Sequence, residues 1–211
     1  MKTLGVTGGI ACGKSFVTAQ LSQWGAQTAS ADADAREVVL PGTPTLETVF
    51  AAFPESRLPG GMLNRRYLAE RTFGDPDVRA KLESLLHPAI FARMEATIST
   101  ARTSDDAPLL AYEVPLLFEK NRESLFDETL AVVCSPEMQA ERLQARELAK
   151  NGGTLTSEQI AERLAAQLSN EEKASRADFV IYTDGTEADT TEQARAVWRE
   201  LTGSEPPASR V

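Results

Sequence analysis

Apolar and polar positions alternate along this chain in blocks of two periods. Leu4-Gly5-Val6 opens the pattern as a short apolar strand, and Ser15 to Trp24 follows with helical spacing, closed by Gly25. Gln27 to Ser30 reads as a second strand that ends at Asp32. From Asp34 the period is helical again; it breaks at Pro41-Gly42 and resumes after Thr43-Pro44 to about Phe53. Pro54 to Gly61 reads as a loop. Three helices without an intervening strand are then predicted: Leu63–Glu70, Pro76–Leu86 capped by Asp75, and Pro88 to about Ser104. Strands return at Leu109–Glu113 and Thr129–Cys134. Ser135-Pro136 caps a helix that runs to about Lys150 and ends in Asn151-Gly152-Gly153. Thr156-Ser157-Glu158-Gln159 is a capping box for a helix to about Leu168. Phe179–Tyr182 is the fifth strand, Glu187 to Leu201 the closing helix, and Glu205 to Ser209 a polar tail.

Strand, loop, helix and strand succeed one another as in a doubly wound α/β fold, so the pattern predicts a five-stranded parallel sheet. The all-helical stretch predicts a substrate-facing lobe, and the charged helical hairpin from Pro136 to Leu168 predicts a lid. The expected division is a nucleotide-binding core of residues 1–33, 105–138 and 174–211, a lobe of residues 34–104 and a lid of residues 139–173.

At 211 residues the chain suffices for one such domain with an inserted lobe. The formal charge of −9 argues against broad electrostatic binding to nucleic acid or an anionic membrane, so an anionic substrate must meet locally clustered Lys and Arg. No apolar run approaches the roughly 18 residues that span a bilayer, and Met1-Lys2-Thr3 leads into a strand instead of a secretory segment, so a cytoplasmic location is expected. Two cysteines and one histidine form neither a disulfide framework nor a metal-ligand cluster.

Gly8-Gly9-Ile10-Ala11-Cys12-Gly13-Lys14-Ser15 matches G-x-x-x-x-G-K-[ST] between a strand and a helix. Glycines let backbone N–H groups turn around phosphate oxygens, and the helix presents its positive end to the same anion. Lys14 then reaches the β- and γ-phosphates and Ser15 ligates Mg²⁺. Gly8, Gly9, Ala11, Cys12, Gly13 and Phe16 complete the expected ATP contacts. Cys12 is either a small filler at a variable loop position or, beside Lys14 and a helix N-terminus, an oxidisable thiol.

Phosphoryl transfer further needs an orienting carboxylate, a metal site and cations. Asp32, 18 residues after Lys14, could accept a proton from an attacking hydroxyl, or it could merely cap the next helix, as Asp34 could. Glu113 ends a strand that could take the Walker B position, or be a solvent-exposed strand end. Arg142 and Arg146, four apart, share a helix face with Lys150; they close over a triphosphate or pair with Glu141 and Glu147 on a solvated face. Arg65 and Arg66 in the helical stretch suit an anionic second substrate. His87 before Pro88 is expected in an extended turn between helices.

Several segments together resemble the dephospho-CoA kinase family of P-loop, nucleoside monophosphate kinase-like enzymes. They are Thr7-Gly8-Gly9-Ile10 with Gly13-Lys14-Ser15, then Ala31-Asp32 with Ala35-Arg36-Glu37-Val38-Val39 and Pro41-Gly42. Leu85-Leu86-His87-Pro88, Val114 to Glu119, Gln139 to Arg146, Gln167 with Glu171-Glu172-Lys173, and Ala177-Asp178 follow in order. The resemblance implies ATP-dependent phosphorylation of the ribose 3′-hydroxyl of dephospho-CoA, with ATP and Mg²⁺ required. It makes Asp32 the general base or orienting carboxylate and Arg142 a lid residue that contacts ATP phosphates in the transition state, with Arg146 beside it. Asp32, Arg65 and His87 fall to the CoA substrate. Small molecules are then the partners, and a monomer or homo-oligomer is expected. Ala11-Cys12 replaces a Gly-Ser pair usual in the family, and Thr183 an asparagine near the expected adenine position.

Overall fold

The computed structural model describes residues 1–207, apart from the side chains of residues 150 and 151. The tail's last expected residues, and the side chain of Lys150, lie outside the described residues. Five strands form one sheet: β1 (Lys2–Gly8), β2 (Gln27–Ser30), β3 (Leu109–Glu113), β4 (Glu128–Val133) and β5 (Phe179–Tyr182), in the order β2-β3-β1-β4-β5. β1 pairs in parallel with β3 and β4, and β4 with β5. Every residue of β1 after Lys2 is buried, as expected for a strand covered on both faces.

From β1 the chain goes to the edge strand β2, returns to β3 beside β1, then crosses β1 to β4 and continues to β5, so the order reverses beside β1. In open α/β sheets the crevice beyond the strand ends at such a reversal takes the ligand. The phosphate loop leaves β1 there.

Among the described residues, α1 (Lys14–Gln23) is followed by α2 (Ala31–Glu37), α3 (Pro44–Ala52), α4 (Arg65–Thr72) and α5 (Pro76–Arg102). Then come α6 (Pro136–Asn151), α7 (Ser157–Ala165), α8 (Asn170–Arg176) and α9 (Glu187–Thr202). The chain folds as two compact units, one of Met1–Ala29 with Ile98–Val211 and another of Ser30–Thr97. In the first unit, α1 and α9 pack together on the sheet. Trp24 and Trp198 meet edge to face at 5.9 Å between ring centres, over Leu4, Leu21 and Leu130. In the second, Val38, Leu46, Phe50 and Ile90 form one cluster and Val49, Phe53 and Leu68 another, and Leu63 and Leu86 touch both.

Helix starts follow local chemistry. Ser30, Thr43, Ser135, Thr156 and Thr186 each accept a backbone N–H from the first turn they precede, and Thr156 with Gln159 closes the expected capping box. Asp75 accepts from Val78 N at 3.0 Å, also as expected.

Four expectations are corrected. Pro88 does not separate two helices: it lies inside the 27-residue α5. An internal proline costs about 3 kcal/mol, but both halves of the helix are packed in the second unit's clusters, through Leu82 and Leu85 before it and Ile90 after it. His87 is therefore helical and not in an extended turn. Asp32 is not at a strand end; Ser30 ends β2 and caps α2, so Asp32 stands in that helix's first turn, and neither Asp32 nor Asp34 is the cap. Finally, the second hairpin helix stops at Ala165 and a separate helix, α8, begins at Asn170 on the Ser169 cap.

Candidate active site

α1 starts differently from its neighbours. Its N-cap is Gly13, in the left-handed region at φ 85°, with no side chain to offer the first N–H groups. Ala11 is also left-handed, at φ 62°. The combination folds the loop back on itself, with Cys12 N donating to Gly9 O at 3.3 Å, and leaves the helix's positive end for an anion from outside the chain. Lys14 Nζ donates to Gly8 O and Gly9 O, each at 2.9 Å, so the ammonium is folded over the loop it would serve. Ser15 is exposed. Phe16 spends its N–H on Gly13 O at 3.0 Å and packs its ring against the sheet core.

Gly8 is required by contact: a Cβ there would lie 2.0 Å from Val132 O. Gly9 is required by what grips it, since a Cβ would lie 2.4 Å from Asn170 Oδ1 and 2.5 Å from Gln139 Nε2. Gln139 donates to Ile10 O at 2.8 Å, and Ile10 N donates to Gln167 Oε1 at 3.0 Å. Asn170 Nδ2 donates to Cys134 O at 2.7 Å and to Gln139 Oε1 at 3.2 Å. Three amide side chains from the C-terminal half therefore hold the loop's shape. In the sequence Gln139 and Gln167 stand only as marks of resemblance, and nothing local singles out Asn170. The signal for α8 was present in Ser169 followed by Glu172, a cap spacing, and Ser169 Oγ does accept Glu172 N at 3.1 Å.

α8 is itself anchored. The fully buried Lys173 donates to Glu119 Oε1 at 2.6 Å and to Pro115 O at 2.9 Å, and Leu168 N donates to the same Glu119 oxygen at 2.9 Å. Burial alone would push the Glu119 carboxyl up, but the Lys173 ammonium and the Leu168 N–H outweigh it and hold the group below its usual value.

Glu113, at the end of β3, accepts a hydrogen bond from the hydroxyl of Thr18 on α1; that hydroxyl also contacts Lys14 O at 3.2 Å and Ser15 O at 3.4 Å. The carboxylate thus sits beside the turn that carries Ser15. A hydroxyl and one carboxylate are hard oxygen donors of the kind Mg²⁺ takes alongside phosphates. No cluster of three or more His, Cys, Asp or Glu suited to a metal occurs among the described residues, so they provide no cage of their own there.

Arg142 is turned to the end of β5, donating to Thr183 Oγ1 at 2.8 Å and Thr183 O at 2.6 Å. Thr183 is buried and its hydroxyl donates to Cys12 O at 3.0 Å. The threonine at the expected adenine position therefore links Arg142 to the phosphate loop. Arg146 is exposed, and Glu147 pairs with Arg163 of α7 at 3.0 Å. Cys12 and Cys134 are both buried, with sulfurs 3.3 Å apart. The hydrogen bond with Cys134 lowers the Cys12 thiol to about 6 despite its burial, aided by Asn170 and Lys14, while Cys134 is pushed up in return.

In the second unit, Asp32 is exposed and Asp34 is buried against Arg93 Nε at 3.2 Å. Arg65 borders a cavity of about 210 Å³ with otherwise largely apolar walls, including Val39, Val49, Leu68 and Leu86, and reaches Arg36 O at 3.4 Å. Arg66 is paired with Glu70 at 2.7 Å. His87 stacks on Phe91 at 5.3 Å and lies 3.8 Å from Glu83, one helical turn away. The structure thus brings Lys14, Ser15, Glu113, Arg142 and Cys12 around one loop.

A family model described as dephospho-CoA kinase matches residues 2–189. A dephospho-CoA kinase of Geobacter metallireducens is 40% identical over 207 residues, 98% of this chain and 100% of that protein. One of Anaeromyxobacter dehalogenans is 40% identical over 96% of this chain and 93% of its own length. Among solved structures, a Thermus thermophilus protein superposes with a TM-score of 0.76 at 36% identity, covering 96% of this chain and 98% of that one. A shikimate kinase of Acinetobacter baumannii, at 11% identity and a TM-score of 0.53 over 96% of this chain and 94% of its own, shares the fold.

Proposed function

The chain belongs to the dephospho-CoA kinase family, and from that premise we infer how its residues divide the work. It transfers the γ-phosphoryl group of ATP to the ribose 3′-hydroxyl of dephospho-CoA, giving coenzyme A and ADP, the last step of coenzyme A synthesis. The uncapped start of α1 supports the donor half most directly, because its N–H groups have no side chain of Gly13 to satisfy them.

The N–H groups from Ala11 to Ser15 cradle the phosphates, with Gly8 and Gly9 allowing the close turns. Lys14 exchanges its two carbonyl partners for β- and γ-phosphate oxygens. Ser15 and Glu113 would hold Mg²⁺, which would supply charge neutralisation for the transferring phosphoryl group. Asp32, exposed in the first turn of α2, accepts the proton of the attacking hydroxyl. Arg142 exchanges Thr183 for the transferring phosphoryl group, and Arg146 follows it as α6 and α7 close as a lid. Arg65, bordering the apolar cavity, and His87 receive the acceptor. The reaction needs only small-molecule partners, and no helix among the described residues is long and apolar enough to cross a membrane, which fits a cytoplasmic enzyme.

ADP release measured with dephospho-CoA, shikimate, gluconate and nucleoside monophosphates tests the assignment. Dephospho-CoA should be the preferred acceptor by about a hundredfold or more in kcat/KM, the discrimination expected of a site that hydrogen-bonds its substrate. A faster rate with another acceptor would overturn it.

A further inference from the structure

The chain has two cysteines, 122 positions apart, and the fold brings them together at the phosphate loop. Cys12 lies between the left-handed Ala11 and Gly13, and Cys134 follows β4 at its carboxyl end. Their sulfurs are 3.3 Å apart. Their surroundings are polar for a filler pair: Asn170 Nδ2 lies 3.4 Å from Cys12 Sγ and also fixes Cys134 O at 2.7 Å.

We propose that Cys12 and Cys134 are a modification site: a hydroperoxide converts them into a reversible disulfide that deforms the phosphate loop and disables ATP binding.

A disulfide bond is about 2.05 Å long, so the sulfurs must close by about 1.2 Å. The loop is the part that yields. β4 is hydrogen-bonded on both sides, to β1 and β5, whereas Cys12 belongs to a turn between two left-handed residues. Drawing Cys12 toward Cys134 displaces its carbonyl, which accepts from Thr183, and Thr183 in turn holds Arg142. One bond thus disturbs both the N–H arc for phosphate and the arginine expected to meet it.

The chemistry balances with the hydroperoxide as two-electron oxidant. The Cys12 thiolate attacks the outer oxygen; an S–O bond forms, the O–O bond breaks, and the departing oxygen takes a proton to leave as water or an alcohol. Cys134 sulfur then attacks the sulfenic sulfur; the S–S bond forms, the S–O bond breaks, and hydroxide leaves as water with the Cys134 proton. The low position of the Cys12 thiol fits the attacking role; Cys134 is raised chiefly by the Cys12 thiolate beside it, a cause that ends once Cys12 is a neutral sulfenic acid and leaves Cys134 free to resolve it. Both sulfurs are buried, so the oxidant gains entry when the loop opens.

The test treats the purified protein with hydrogen peroxide, removes the peroxide, and follows intact mass, alkylation under denaturing conditions, non-reducing peptide maps and binding of a fluorescent ATP analogue. The expected result is a loss of two hydrogen masses, protection of both thiols and a Cys12–Cys134 cross-linked peptide. Analogue affinity should fall about tenfold or more, and dithiothreitol should restore all four readings. Cys134→Ser should bind the analogue as the unmodified protein does and yield no intramolecular cross-link. Thiols that stay alkylatable after peroxide, or a cross-linked protein that binds the analogue normally, would overturn the proposal, and both are read on the natural sequence without the variant.

Discussion

Replacing Lys173 with Met removes a fully buried ammonium while nearly conserving volume, and so isolates what the Lys173–Glu119 pair does. Glu119 would keep Leu168 N–H as a donor but lose its cation, at a side-chain exposure of only 15%. Breaking a buried pair from one side costs about 3–5 kcal/mol. Glu119 Oε2 is buried without a hydrogen-bond partner, so water does not take the cation's place and the loss is at least the lower figure. Pro115 O adds little, because Thr7 Oγ1 still donates to it at 3.2 Å. A loss of about 3 kcal/mol corresponds to roughly 6–12 °C in Tm for a chain of this size. Tryptophan fluorescence during urea or thermal unfolding is the assay, since Trp24 and Trp198 both report on the unit that contains the pair. Glu119→Gln added to Lys173→Met should recover at least about 1 kcal/mol, because a neutral amide still accepts from Leu168 N–H and needs no cation. The pH profile has a definite sign. The folded Glu119 carboxyl lies below its unfolded value, so its stabilisation is fully present above that unfolded value and is lost as pH falls through the folded one. Lys173→Met should flatten that acid limb. A single variant within about 1 kcal/mol of the parent, or a double variant with no recovery, would refute the reasoning.

Asp32→Asn should lower turnover by about a hundredfold or more with ATP-analogue affinity unchanged, the scale of a general-base contribution; near-normal turnover would remove Asp32 from the mechanism. Gly9→Ala should destabilise the protein by about 1–3 kcal/mol, because the new methyl strikes Asn170 and Gln139. Asn170→Ala in the same chain should return part of that loss, and urea midpoints that show no such coupling would count against the amide clamp.

The phosphate loop, its strand and its helix were legible because each is set by neighbours in sequence: apolar residues, glycines at special φ angles, then a lysine and a serine. Caps were legible for the same reason at Asp75, Ser135 and Thr156. Pro88 misled because its local cost is offset by apolar contacts on both halves of α5, which no window of sequence displays. Asp32 falls in the first turn of α2 and not at a strand end, because Ser30 serves both as the last residue of β2 and as the cap of α2. The amide clamp was hidden by distance: Gln139 and Gln167 meet Ile10 across 129 and 157 positions. Thr183 could be read as a departure from the family, but not as the link between Arg142 and Cys12 that the fold makes of it.

The most direct measurement is the product itself. Incubation with MgATP and dephospho-CoA, followed by mass analysis and phosphorus NMR, should show one phosphoryl group gained per acceptor, placed on the ribose 3′-hydroxyl, with ADP formed in equal amount. Dephospho-CoA recovered unchanged while ATP is stable, or a phosphoryl group found at another position, would contradict the account.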